Sequence, residues 1–485
     1  MSQTTEARAA DTDPNDEATA PGMGAQPAPV LETGLNVPGV PMPEPWFAIM
    51  RWGAVVLALV GLVLIVSSLR LVVAADSLRA PLLDDRDWVW TVAGAILLVM
   101  GVSAAILRPE LGNAYRQLAT SAVWSVALLL GIATVWLLIN TAVRFTSWVG
   151  VPVTNAAQVE TYLDTHLPPP SPGVSEPIRI PTGVMIQSVE FRSAVNVQVS
   201  GYVWQRYDKS VPDDVERGFV LPEAVAEAYS STKAYQKTDA DGETIGWYFS
   251  ATLRQYFDYR KYPFDRQNVW LRLWHRDFNR GVILIPDFDA YFDITPTTLP
   301  GVEDQFVYTG WSPVYSGFSY RLNSYDSDFG VTPGASGDQF PELYFNFVLK
   351  RQAIGPLTDH LIYGGTVALL IFGLLILTTG DETLKGRFGL TTAGVLASVS
   401  ALLFGVIIKH NQIRTTLETQ QPVFLEVVPM ILYFLLVLTA LNAILVASPV
   451  NVRLLEYRHN LFPQLIYWPL QLGIVFLATL LVFYR

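Results

Sequence analysis

The chain has 485 residues, of which 51% are hydrophobic and only 15% charged, with a mean hydropathy of +0.32. Soluble domains carry about 25% charged residues, so the composition describes an integral membrane protein with an attached soluble part. A formal net charge of −11 disfavours nucleic acid as a partner, and the absence of cysteine excludes disulfides, thiolate nucleophiles and cysteine-ligated metals.

Residues 1–45 are rich in Pro, Ala, Asp, Glu and Thr and hold almost no large apolar side chain. They cannot bury enough surface to fold, so a disordered tail is expected. A secretory signal peptide is not expected, because the first apolar run is too long and has no basic leader. Three apolar runs follow, at 47–74, 88–107 and 119–142, within a module spanning 46–144. Each reaches the roughly 20 residues that cross a bilayer as a helix, and Trp46, Arg51, Trp88 and Arg108 flank them as interfacial anchors do. A connector, 145–176, follows. Its stretch 154–166 predicts a short amphipathic helix with Val159, Tyr162 and Leu163 on one face, stopped by Pro168-Pro169-Pro170.

Over 177–351 the period becomes two. Val195, Val197, Val199 and Val203 alternate with Asn196, Gln198, Ser200 and Trp204. Val269, Leu271 and Leu273 alternate with Asn268, Trp270, Arg272 and Trp274; Leu343, Phe345, Phe347 and Leu349 alternate with Tyr344, Asn346 and Val348. Period two with aromatic enrichment predicts an antiparallel β-sandwich, with a hairpin turn at Asp239-Ala240-Asp241-Gly242. Four more apolar runs, at 359–379, 387–408, 424–447 and 462–484, make a four-span region of 352–485. With a cytoplasmic amino terminus, seven spans place the β-domain and the carboxyl terminus outside; the basic residues of the short loops barely favour this orientation. The expected fold is therefore a membrane protein with an outer antiparallel β-sandwich and an α-helical region of three plus four spans.

The most informative stretch is Tyr262-Pro263-Phe264-Asp265-Arg266-Gln267, a tight aromatic-proline turn between two predicted strands. With it, in order, stand Val199–Asp208, the Val220-Leu221-Pro222-Glu223 loop, Gly310-Trp311, and Phe347-Val348-Leu349-Lys350-Arg351 ahead of four spans. On these motifs the segment 177–485 resembles the pentameric ligand-gated ion channels, or Cys-loop receptors, of bacterial type. The chain departs from that family at four points, the first being that the Val220-Leu221-Pro222-Glu223 loop lacks the family's tryptophan. The signature cysteines are absent, with Val269 near the second position; the run 359–379 has no internal proline; and three extra spans precede the sandwich.

The resemblance implies a homopentamer in the cell (inner) membrane and a small-molecule or ion ligand bound between subunits, with no cofactor; the net charge speaks against nucleic acid, and five scattered histidines without HExxH-like pairing speak against a metal site. It places Tyr202 on the complementary face of the ligand site, Glu227 or Tyr229 in the first principal loop, Arg276 to Phe278 in the next, and Tyr325 and Phe329 in a long capping hairpin over 322–341. Aromatic faces suit a cationic ligand, whereas Arg276 in the pocket would favour an anionic one. It also implies that Phe264 plants the turn on the membrane helices near 411–422, that Asp265 faces Arg351, and that Arg192 reaches the same boundary. Tyr262 and Pro263 shape that turn. The same Asp265–Arg351 pair would serve equally as a structural ion pair that stops the β-domain rotating.

Within 387–408, Gly389, Ala393, Leu396, Ser400, Leu403 and Ile407 fall on one helical face. The resemblance puts Leu396 at a central leucine gate, and apolar rings of this kind gate by dewetting. Any membrane helix carries leucines at such spacing, and Thr391, Gly394, Ser398 and Gly405 offer an alternative face as a small-residue packing seam. Asp381 and Glu382 at the inner mouth would attract cations, and Lys385 and Arg387 beside them would oppose this. No P-loop, nucleophile motif or metal spacing is present, so an enzyme is not expected. The two readings left are a ligand-gated channel and a non-conducting sensor or scaffold on the same fold.

Overall fold

A computed structural model describes residues 44–74, 85–108, 113–141, 148–167, 177–278, 281–305, 308–325, 341–379, 391–449, 455, 457–458 and 460–484. The expected tail, apart from its last two residues, lies outside them. So do most of the capping hairpin with Phe329, and Asp381, Glu382, Lys385, Arg387 and Gly389.

Seven described helices are long and apolar enough to cross a membrane, which makes the chain a multi-pass membrane protein. Three precede the sheets: α1 (Glu44–Ala74), α2 (Asp85–Leu107) and α3 (Ala114–Thr141). The third starts five residues before the apolar run does, because Ala114–Leu118 mixes polar and apolar residues yet has no helix breaker. α1 and α2 meet through small residues. A Cβ on Gly61 would stand 2.6 Å from the Gly94 carbonyl oxygen, and one on Gly101 would stand 2.5 Å from that of Ala54. Such closeness is how helices associate where lipid removes any hydrophobic drive.

Within the described part of the connector, 148–167, a strand accompanies the expected helix. These are β1 (Val151–Val153) and α4 (Ala156–His166). Asn155 caps α4 by accepting from Gln158 N at 2.9 Å. Val159 and Leu163 are buried, and the Tyr162 ring stacks on Tyr320 at 5.3 Å.

The strands β2 (Ile178–Phe191), β3 (Asn196–Asp208), β4 (Phe219–Val220), β5 (Ala224–Thr238), β6 (Gly242–Arg254), β7 (Arg266–His275), β8 (Val282–Pro286), β9 (Trp311–Leu322) and β10 (Pro341–Arg351) complete two sheets. Their orders are β1-β9-β10-β7-β4 and β5-β6-β3-β2-β8. The two sheets enclose one apolar core, with Val184, Val197, Val199 and Val203 from one side and Val269, Leu271, Phe318, Phe345 and Phe347 from the other. The expected hairpin joins β5 to β6, closed by Asp239 N to Gly242 O at 2.9 Å.

Three expectations need correction. Pairing is not wholly antiparallel: β8 runs parallel to β2 because the chain crosses between sheets before it returns. The first sheet begins in the connector, since β1 pairs with β9. Val195 is outside the alternating row, 45% exposed in the turn before β3.

After the sheets come α5 (Ile354–Leu377), α6 (Thr392–Leu417), α7 (Val427–Ala447) and α8 (Leu461–Tyr484). α5 starts five residues before the apolar run, so Pro356 falls in its first turn, where a missing N–H costs nothing. α6 continues nine residues past the apolar run through Lys409, Asn411 and Arg414. The polar loop expected from 411 is therefore mostly helix, and the turn proper begins at Glu418, which has left-handed φ and ψ.

Candidate functional site: a coupling seam and an aromatic-acidic face

The loop between β6 and β7 is held against the helices by paired hydrogen bonds. Gln421 Nε2 donates to Phe257 O at 3.0 Å, and its Oε1 accepts from Tyr259 N at 3.1 Å. Phe424 N donates to Arg260 O at 2.9 Å. Ile413 and Leu417 of α6, with Val423 and Leu425 after it, belong to the same apolar core as the sandwich. The core thus runs unbroken from sheets to helices.

Asp265 lies at the centre of this seam and is buried. Arg351 grips it with two bonds, Nε to Oδ1 at 2.7 Å and Nη2 to Oδ2 at 3.0 Å. Gln267 Nε2 adds a third at 2.8 Å. The guanidinium also lies over the rings of Trp311 (4.1 Å), Tyr262 (4.8 Å) and Tyr259 (6.0 Å). Burial pushes the Tyr259 phenol up to about 12. Tyr262 therefore serves as a face for the arginine, and Pro263 beside it is buried. The Phe264 ring stands 5.7 Å from Trp136, 6.4 Å from Phe424 and 5.8 Å from Phe483. It meets helices, as the sequence suggests, but on α3 and α8 and just past the α6–α7 turn. Arg192 is engaged within its own hairpin, with Gln198 and Glu190, while its neighbour Phe191 stacks on Trp311 at 4.4 Å and meets Phe257 edge-on at 5.0 Å.

At the end of α6, Glu426 is buried and ion-paired to Arg414. The Arg414 Nη2 to Glu426 Oε2 distance is 2.8 Å. Lys409 pairs with Asp359 of α5 at 2.6 Å.

A second cluster stands on the outward row of β7. Arg272 pairs with Glu223 at 2.5 Å and Glu342 at 3.5 Å. Tyr325 Oη donates to Glu342 at 2.5 Å and accepts from Arg272 at 2.8 Å. Asn323 donates to Glu342 and, at 2.7 Å, to Tyr344. Trp274 lies 5.3 Å from Phe278 and 6.0 Å from Tyr325. Burial holds the Glu223 carboxyl above its ordinary value against the opposing pull of Arg272. Two carboxylates thus face one guanidinium among aromatic rings.

Of the predicted ligand residues, Tyr325 and Phe278 come together here. Tyr202 stands on β3 of the other sheet, edge-on to Tyr248 at 5.3 Å. Tyr229 is half-buried on β5, and Glu227 is exposed in the irregular stretch of that strand between Ala224 and Tyr229. Arg276 pairs with Glu216 at 2.7 Å. Arg272, Glu223, Glu342, Asn323 and Trp274 are not among the site residues expected from the sequence. The signal was present for the β7 members, because an outward row of Trp270, Arg272 and Trp274 carries its polar residue between two indoles. His275, on the inward side of β7, is buried, and loss of solvation pushes it down to about 4.

On α6, Val395, Val399, Val406, Ile413 and Leu417 are buried. The opposite arc is open. Ala393, Ser400 and Ile407 of the predicted stripe are exposed, whereas Leu396 and Leu403 are half-buried. Ala397, Phe404 and Ile408 are exposed beside them. At 100° per residue, the predicted stripe lies about 70° from the centre of the exposed arc, on one edge of it. The alternative small-residue face is divided. A Cβ on Gly405 would come 3.2 Å from Tyr363 Oη of α5, while Thr391 caps the helix by accepting from Gly394 N at 3.1 Å. No charged side chain stands between Thr391 and Ile408.

No protein-family model matches this chain, and no curated protein matches it in sequence.

Proposed function

We propose that the chain is a ligand-gated ion channel that works as a homopentamer in a bacterial inner membrane. In this reading the amino terminus is cytoplasmic and the sandwich lies outside. Ligand binding at the sandwich shifts a closed–open equilibrium of a pore lined by α6, and no covalent chemistry takes place. The observation that carries it is the seam. A loop of the β-domain is zipped by Gln421 and Phe424 to the turn that follows α6, around the Asp265–Arg351 pair. Any movement of that loop is delivered to the end of α6. A buried pair with good geometry has discrete arrangements rather than a continuum, which suits a two-state switch.

The open, uncharged arc of α6 supports a pore, because a helix packed on one side alone needs neighbours for the rest. Five copies would supply them, and the bilayer would cover the remainder. The excess of carboxylates around Arg272 supports a cationic ligand, with Trp274, Phe278 and Tyr325 offering ring faces. Tyr202, on the other sheet, would come from the adjacent subunit.

Phe404, 66% exposed, is the observation that favours a second reading. A ring of phenylalanines would close a narrow pore, as in a non-conducting sensor on the same fold. Bilayer recording separates the two. Leu396→Ser should raise current without added ligand, as expected when an apolar ring is hydrated. Absence of current from the parent and from Leu396→Ser would sink the channel and leave the sensor. Native mass measurement should give five copies.

A further inference from the structure

The three helices ahead of the sandwich have no part in that reading, yet α3 reaches the seam. The Trp136 indole stands 5.7 Å from Phe264 and 6.1 Å from Phe424. Its N–H donates to Thr479 Oγ1 of α8 at 3.2 Å. Four residues on, the Asn140 carbonyl accepts from the Lys350 ammonium at 2.6 Å. Asn140 lies in the last turn of α3, where carbonyls have no partner within the helix. A lysine there fills the vacancy and complements the helix dipole. Lys350 adjoins Arg351, which grips Asp265. α3 therefore touches the aromatic plug of the seam directly and the ion pair through one adjacent residue.

The chain then continues into a second anchorage. Trp148 stacks on Tyr315 at 5.6 Å, Val149 N donates to Asn346 Oδ1 at 2.9 Å, and β1 joins β9. On its other flank α3 is tied to α2 by the Trp124 N–H to Met100 O bond at 3.0 Å, and α2 is locked to α1 at Gly61 and Gly101.

We propose that this amino-terminal module is a second input to the seam. A tilt or shift of α3 in the bilayer is passed through Trp136 to Phe264 and Phe424, and through Asn140 to Lys350 and the Asp265–Arg351 pair. It biases the same equilibrium that the sandwich controls. The proposal rests on the channel reading. Its physical ground is that a group touching both sides of a switching boundary favours whichever arrangement keeps its contacts, and so shifts the equilibrium by the difference. A helix that merely shielded α8 from lipid would need contacts such as Ser121 to Leu465, which α3 also makes; it would not need an indole between the β6–β7 loop and the α6–α7 turn. A cleft of about 420 Å³ between Asn140, Lys350 and the start of α5 leaves room for movement.

The test uses full-length protein in lipid bilayers, in the Leu396→Ser background so that no ligand is required. Trp136→Ala should change the closed–open equilibrium constant, read from open probability, by roughly 5- to 150-fold, the range of ordinary coupling energies. Trp136→Phe, which keeps a ring, should recover most of that change. Lys350→Met should move open probability in the same direction as Trp136→Ala. Amide exchange should speed up in 257–264 and 419–426 on Trp136→Ala, a readout independent of current. If Leu396→Ser conducts and neither Trp136→Ala nor Lys350→Met alters its open probability, the module is a bystander and the inference falls while the channel reading stands. Unchanged exchange in both segments overturns it as well. If Leu396→Ser carries no current, the channel reading fails first and the second input to gating fails with it.

Discussion

Two charged sites in this chain use the same ingredients to opposite ends. At the seam, one carboxylate meets one guanidinium, both are largely buried, and every strong contact is made: two bonds from Arg351, a third from Gln267, and ring faces around the cation. On the outward row of β7, Arg272 faces two carboxylates, and one of them, Glu223, is held above its ordinary value by burial. The first site is balanced and holds the β6–β7 loop to the last strand. The second is in charge excess and is open on its aromatic side. A balanced buried pair contributes definition rather than net stability, whereas the proposed cationic ligand would supply the balance that the second cluster lacks.

Removing a member should therefore cost most at the seam. Asp265→Ala leaves Arg351 partly buried without a carboxylate, and breaking such a pair costs about 3–5 kcal/mol. The expected result is a much lower melting temperature of the purified protein. Asp265→Asn keeps the shape and should cost less, yet still weaken the response of the helices to the sandwich. If Asp265→Asn gates normally, the pair is a structural clamp only.

The outer cluster should respond asymmetrically. Arg272→Met leaves Glu223 and Glu342 facing each other and should cost about 2–3 kcal/mol, from unsatisfied buried acceptors and like-charge repulsion. Glu342→Gln removes the excess charge at the loss of one acceptor oxygen, so it should cost only about 1 kcal/mol while weakening binding of tetramethylammonium, followed by tryptophan fluorescence, about tenfold. A large loss of stability on Glu342→Gln, with no change in binding, would make the two sites alike and end the case for a cation site.

The smallest effect is a pH trend. Glu223 has a raised pKa in the folded chain and an ordinary one, 4.5, when unfolded. As pH falls through the folded value towards 4.5, the folded state takes up the proton first, so stability rises over that window. Glu223→Gln should flatten that part of the pH–melting curve. A curve unchanged by the substitution would mean that the buried carboxylate is not what titrates.

Local pattern carried much of this architecture. Runs of about 20 apolar residues announce the helices, because a bilayer leaves the backbone no other way to satisfy itself over that length. Their ends were less legible. α6 runs on through Lys409 to Leu417 because hydropathy falls there while helix-compatible residues continue, and Arg414 finds its partner in Glu426. Period two in 269–273 and 343–349 marked the strands, but alternation does not say which strand lies beside which, so the parallel β2–β8 pairing and the connector's β1 were hidden. At the seam, Asp265 and Arg351 were found through a motif. Gln421, Phe424, Phe483 and Trp136 lacked one, since each is an ordinary residue of its own segment and gains a role from what lies opposite.

The sequence by itself therefore determined that this is a multi-pass membrane protein with a β-rich segment between its third and fourth apolar runs. Composition and periodicity are properties of neighbours along the chain, and solvent selects on them directly. Only the tertiary structure decided that Trp136 shares a cluster with Phe264 and Phe424, that Arg272 has two carboxylates where Arg351 has one, and that the open arc of α6 is centred beside the predicted stripe. These depend on contacts between residues tens to hundreds of positions apart, and packing geometry sets them where no local rule reaches.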